Sequence, residues 1–278
     1  MNPKSARMFR FHSYGITGFF LFFLLFLVAA PFMTPFDPTE VRLGERLQPL
    51  SWEHLLGTDH LGRDIFSRIL AGAQTTVGTS ILVLAISITI GLPVGLLSGY
   101  IGGRVDRFFM RIVDAFLAFP DYIVAIVLSG LLGPGLFNLV FAIVVVRWVQ
   151  YARLVRSTVI SEKQKDYIAM AKINGLGSFS ILRKHLLPHV AGNLLVLASL
   201  DLGKIILIIA SLSYIGLGAQ PPAPEWGAML NEGKAFFHNA PQLMIIPGLA
   251  IMTVVLLFNL LGDFLRDHFD VKNQKGER

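Results

Sequence analysis

DYIAMAKINGLGSFSILRKHLLP, residues 166–188, is a polar, basic stretch with apolar, membrane-length runs on both sides. Its pattern predicts a short helix from Asp166, a break at Gly175 and Gly177, a second short helix and a stop at Pro188. Gly175 stands where a helix C-terminus favours a positive φ. A long, patterned, positively charged loop is a poor membrane anchor. Two short helices at an angle form a compact knob that can sit in a groove on a partner. The plainer reading is a basic loop whose charges only set topology.

The rest of the chain supplies the membrane around this loop. Of 278 residues, 54% are hydrophobic and 15% charged, and mean hydropathy is +0.62. That is too apolar for a soluble domain of this size and predicts an all-α polytopic membrane protein. About six spans follow from the bilayer thickness. They are residues 14–33, 75–100, 112–132 with Pro120 inside, 136–148 with Arg147 near its end, 190–214 and 243–261. The first apolar run follows Lys4, Arg7 and Arg10 and resembles a signal peptide. It is long for one and no small-x-small site precedes Pro31, so it reads as a retained helix. The implied organisation is a cytoplasmic N-terminus and first span over 1–34, an extracytoplasmic segment over 35–74, and a core of five spans over 75–265. The core carries the cytoplasmic loop 151–189, and a cytoplasmic tail follows over 266–278. Segment 34–70 is expected to hold short helices. Segment 216–241, with PPAPEW, cannot be one helix. KNQKGER at the end reads as a solvated tail.

Orientation follows from lysine and arginine. With the N-terminus inside, Arg104, Arg107, Arg111, Arg153, Arg156, Lys163, Lys165, Lys172, Arg183 and Lys184 are all inside, as are Arg266 and Lys272. In the outside segment, Asp37, Glu40, Glu45, Glu53, Asp59 and Asp64 outnumber the basic residues. Both termini are therefore expected in the cytoplasm, with 166–188. The net charge of +6 sits mostly at the ends of apolar runs, which argues against a nucleic-acid partner. With no cysteine, a disulfide, a thiolate metal site and a Cys nucleophile are all excluded.

Four further features bear on chemistry. In GTDHLGRD, residues 57–64, Gly57 and Gly62 permit tight turns, and Asp59, Arg63 and Asp64 can pair to hold an ordered element beside Thr58. Asp201 and Lys204 share a face of the fifth span. They are either a self-paired salt bridge or part of a polar passage. His185 and His189 have the i, i+4 spacing of a two-histidine metal site, but Pro188 lies between them. His54 and His60 lie outside, where they could meet an incoming metal complex. Neither pair has carboxylates at convincing spacing, so no metal site is assigned. No nucleophile–base constellation is visible, and no P-loop sequence cradles ATP phosphates.

Residues 166–188 resemble the EAA loop of ABC importer permeases: Glu-Ala-Ala, three residues, Gly, nine residues, Ile-x-Leu-Pro. Gly175, Leu187 and Pro188 fall at that spacing, with Ala169, Met170 and Ala171 on the first helix. The pattern is departed from where Ala169 stands for the family's Glu and His185 for its Ile. Asp166 keeps an acid on the same helix. GTDHLGRD with Ser67-Arg68 resembles the GTDxxGRD segment of the second permease subunit in peptide and nickel importers. WVQYARLVRS at 148–157, SYIGLG at 213–218 and NLLGD at 259–263 agree, and the chain looks slightly closer to the nickel type. The resemblance implies a type I importer permease fold in a bacterial cytoplasmic membrane and no bond chemistry in this chain. It implies a homologous second permease, two ABC ATPases that hold ATP and Mg, and an extracytoplasmic solute-binding protein. Cargo would be nickel or another metal chelate, or else a di- or oligopeptide. The contrasting class is a secondary transporter or channel working alone.

Overall fold

The computed structural model describes residues 23, 25 and 27–276, with side chains through residue 267. The expected first span, 14–33, falls largely outside them. Among the described residues there is no strand, only an isolated bridge between Thr58 and Asp64. The helices are α1 (Ile65–Ile101), α2 (Gly103–Leu117), α3 (Asp121–Leu132), α4 (Leu136–Lys163), α5 (Asp166–Ile173), α6 (Ser178–Ile181), α7 (Leu187–Tyr214), α8 (Trp226–Gly233) and α9 (Gln242–Gly276). Four helical stretches are long and apolar enough to cross a membrane, or five if α2 and α3 count as one bent span. The chain divides into two compact units, Met1–Gly78 with Pro221–Ala250 and Thr79–Gln220 with Ile251–Arg278.

The first unit is held by polar side chains around a small apolar cluster of Ile65, Ala240 and Leu243. Glu225 is fully buried and caps α8, accepting from the Gly227 and Ala228 amides at 3.0 and 2.8 Å. It also accepts from the Thr76 hydroxyl at 3.1 Å. The Trp226 indole donates to the Ile69 carbonyl and lies against Gly72, where a Cβ would come within 2.9 Å of the ring.

In the second unit α4 is the hub. Leu139, Ile143 and Val146 pack with Val83 of α1, Ala125 of α3 and Ile205, Ile209 and Leu212 of α7. Gly91, Gly95 and Gly99 let α1 lie against α4. A Cβ at each would come within 2.6 to 2.8 Å of Trp148, Ala152 or Val159. Small residues at such a stripe are the usual way apolar helices approach closely.

Three expected spans need correction. The stretch 112–132 is not one helix: α2 and α3 meet at 84°. Pro120 has no amide to continue a helix and biases Phe119 away from helical geometry, so the chain turns there. The fourth span does not end at 148, because α4 runs to Lys163 and places Arg147 mid-helix. The fifth does not start at 190 after a proline stop. Helix runs from Ser178 to Tyr214, with a π-helical stretch over Leu182–Leu186 ahead of Pro188. Pro188 has no amide to donate to the preceding turn, and the π register lies at that break in the ladder.

Candidate functional site

The loop after α4 is built from the inside out. Ile168, Ala171, Ile181, Leu186 and Val190 are buried against Val155 and Val159 of α4. Gly175 has φ +78, its amide donates to the Lys172 carbonyl at 3.0 Å and the Leu176 amide donates to Ala171 at 3.1 Å, which ends α5. The opposite face points outward. Asp166, Ala169, Gly175 and Pro188 are exposed and Leu187 is half-buried. Three large apolar side chains stand out: Met170 is 57% exposed, Phe179 76% and Ile173 77%. A knob anchored below and apolar above is suited to dock into another protein.

Glu162, which the sequence does not single out, ties this loop down. It accepts from Lys165 at 2.8 Å and from the Tyr167 hydroxyl at 2.7 Å. Burial and the Glu162 carboxylate both push the Tyr167 hydroxyl above its ordinary value. The Tyr167 ring lies 6.0 Å from His185 and 5.9 Å from His189. The two histidines thus flank a tyrosine and meet no carboxylate within ion-pair distance among the described residues. Ala169 supplies no acid, and His185 packs on the tyrosine that the nearby Glu162 holds.

GTDHLGRD folds into a closed ionic knot. Thr58, Asp59, Arg63 and Asp64 are buried, as are Gly57 and Gly62. Arg63 reaches Asp59 at 2.6 Å and also pairs with Glu232, and Arg68 reaches Glu232 at 3.1 Å. Asp64 accepts from the Ser67 amide and hydroxyl and meets His54 Nδ1 at 2.9 Å. The expected Asp59, Arg63 and Asp64 group is therefore together, but Asp59 and Asp64 serve different partners. Glu232, far along the chain, completes the knot. Asp59, His60 and Glu232 bring ligand-type atoms within 4.8 Å of one another. Arg63 and Arg68 already neutralise those carboxylates, and burial lowers the His60 pKa.

Asp201 and Lys204 do not pair. Asp201 is buried and takes Arg147 of α4 as its partner, with the Tyr151 hydroxyl donating at 2.5 Å. Arg147 also holds Asp121, the first residue of α3, at 2.9 Å. Lys204 is exposed and lines a cleft with Asp121, Tyr122 and Arg147. Arginine inside an apolar run was the available signal for this network, because a charge there needs a partner. Which carboxylates supply it depends on helix packing.

The model of binding-protein-dependent transport system inner membrane components matches residues 91–275. The nickel transport system permease protein NikC of Escherichia coli is 43% identical over 249 residues, 89% of this chain and 90% of the relative. The dipeptide transport system permease protein DppC of Haemophilus influenzae is 40% identical over 260 residues, 91% of this chain and 88% of the relative. The glutathione transport system permease protein GsiD of Pectobacterium atrosepticum is 42% identical over 268 residues, 96% and 89%. Among solved structures, the inward-facing MetNI methionine ABC transporter aligns with TM-score 0.58 at 19% identity, over 72% of this chain and 95% of that one. An amino acid ABC transporter with histidines aligns with TM-score 0.57 at 16% identity, over 72% and 94%. At that identity the likeness is one of fold.

Proposed function

Because the chain belongs to the inner membrane components of binding-protein-dependent transport systems, as a permease of the peptide/nickel ABC importers, we propose that it forms half of the passage for nickel or another metal chelate. A homologous second permease forms the other half. Two ATPase subunits bind the cytoplasmic loops, and a solute-binding protein delivers cargo to segment 35–74. Loop 151–189 and tail 266–278 lie inside, and the spans of 75–265 form the core. The family replaces the reading of a transporter or channel working alone.

The observation that supports coupling to an ATPase is the loop 166–188, with Met170, Ile173 and Phe179 outward on a buried base. Asp166, Ala169, Gly175, Leu187 and Pro188 frame that surface, and Ala171 lies in the buried base beneath it. Closure of the ATPase pair pushes the knob, and the knob is joined through α7 and α4 to the spans. This chain then does no bond chemistry and holds no cofactor of its own, while ATP and Mg act on the ATPases. The nickel relative supports the metal cargo. The dipeptide relative, only slightly less identical, supports peptide as the second reading.

The test is uptake by the purified complex in proteoliposomes. Accumulation is expected to need ATP, both permeases, the ATPases and the binding protein. Accumulation without ATP, or by this chain alone, refutes the proposal. Titrating the binding protein with nickel chelates and with dipeptides separates the two cargo readings.

A further inference from the structure

We propose that the cleft between α3, α4 and α7 is a binding site for a carboxylate group of the cargo. The site rests on the transport reading above, but not on either choice of cargo. Peptides and amino-acid chelators of metals both carry a carboxylate.

The cleft has a volume of about 240 Å³ and is lined by Asp121, Tyr122, Arg147, Lys204, Leu207 and Ile208. That is room for several water molecules or a small acid. Two cationic side chains border it, and each has unused capacity. Arg147 is 2% exposed, and its two terminal nitrogens bond Asp121 and Asp201. Its buried Nε–H has no partner. Buried donors are rarely left so, and the side chain that carries this one lines the cleft. Lys204 has no ion-pair partner among the described residues, although Asp201 is only one helical turn away. Asp201 is held instead by Arg147 and Tyr151, one on each oxygen, and the lysine lines the cleft. An unpaired ammonium on a membrane-spanning helix is costly unless it faces water or an anion.

The two carboxylates on Arg147 are not equivalent. Asp201 is buried and held by a second donor, whereas the Asp121 side chain is 36% exposed and shares Arg147 through one contact. Asp121 also opens α3 directly after the 84° bend. A carboxylate entering the cleft meets Lys204, and it can compete with Asp121 for Arg147. Asp201 stays in place and keeps the arginine positioned. Such charge-assisted contacts in a site of low dielectric are the strong ones.

The experiment compares cargoes that differ in the carboxylate. Proteoliposomes holding the full complex and its binding protein are given nickel with L-histidine or with histamine, and dialanine or its C-terminal amide. The readout is the uptake ratio of carboxylate to neutral cargo, for whichever pair the complex transports. Lys204→Gln is expected to lower that ratio about tenfold, the worth of one charge-assisted bond, and Lys204→Arg to restore most of it. A ratio unchanged in Lys204→Gln overturns the site, whether uptake of both cargoes persists or falls together. An unmutated complex that accumulates neither pair with ATP present refutes the transport reading, and the site falls with it.

Discussion

The ionic knot of residues 57–68 and the loop of 166–188 are both motif-bearing segments outside the apolar runs, yet they use their motifs in opposite ways. In the knot, the motif side chains turn inward: Arg63 and Arg68 are 1% exposed and Asp59 and Asp64 nearly as buried. In the loop, the framing residues Asp166, Ala169, Met170, Gly175 and Pro188 face outward over a core of Ile168, Ile181 and Leu186. A motif can thus specify a scaffold or a surface, and burial tells which. The knot should fail by losing its fold, and the loop by losing its partner.

The largest loss of stability is expected from Arg63→Ala. It leaves Asp59 and Glu232 short of a buried partner, and breaking a buried ion pair from one side costs about 3–5 kcal/mol. A thermal scan of the purified complex should show a lower midpoint. A midpoint equal to that of the unmutated protein would mean that the knot carries no stability, and the contrast with the loop would collapse.

Two glycines with the same backbone angle sharpen the comparison. Gly62 and Gly175 both have φ +78. A Cβ at Gly62 would lie 1.8 Å from the Arg42 carbonyl oxygen, whereas at Gly175 nothing lies within 4 Å. Gly175→Ala therefore meets only the left-handed penalty, about 1–2 kcal/mol. Gly62→Ala must also push apart backbone that is tied by the Arg42 amide to Leu61 at 3.0 Å. Its unfolding midpoint should fall further than that of Gly175→Ala, and the reverse order would contradict the packing.

The contrast was half legible in the sequence. Apolar runs predicted the helices, the turn at Gly175 was readable from its place after Ala171, and charge asymmetry marked the loop. Burial was not readable, because it depends on residues far apart in the chain. Glu232 joins Arg63 and Arg68 across more than 160 positions, and Asp201 prefers Arg147 to the nearer Lys204. The bend at Pro120 was hidden for a different reason. Proline is tolerated within membrane helices, so its presence does not distinguish a kink from a corner. The tail from residue 268 lies beyond the described side chains.

A smaller effect comes from pH. His60 stacks on Phe236 with ring centroids 5.1 Å apart, and burial holds its pKa below the usual 6.5. The unfolded chain therefore takes up the proton first. Stability from neutral His60 is complete above the unfolded pKa and declines as pH falls from there toward the lower folded value. His60→Phe keeps the stacking and removes the titration. Its midpoint should fall less between about pH 7.5 and about pH 5.5 than that of the unmutated protein. An equal fall would assign the pH response to other groups.

The least change in stability is expected where the functional change is greatest. Ile173→Asp and Phe179→Asp alter side chains that are 77% and 76% exposed, so each should stay within about 0.5 kcal/mol of the unmutated chain. If those side chains fill a groove on an ATPase, a carboxylate there is desolvated without a partner. Assembly with the ATPase and ATP-driven uptake should then be lost from a permease that melts normally. The matched control is Ile168→Asp, which places the same charge in the buried base of the same loop. It should lower the melting midpoint, as Arg63→Ala does in the knot. If Ile173→Asp melted like Ile168→Asp, or left assembly and uptake intact, the outward face would not be a docking surface. The difference between the two motifs would then reduce to one of exposure alone.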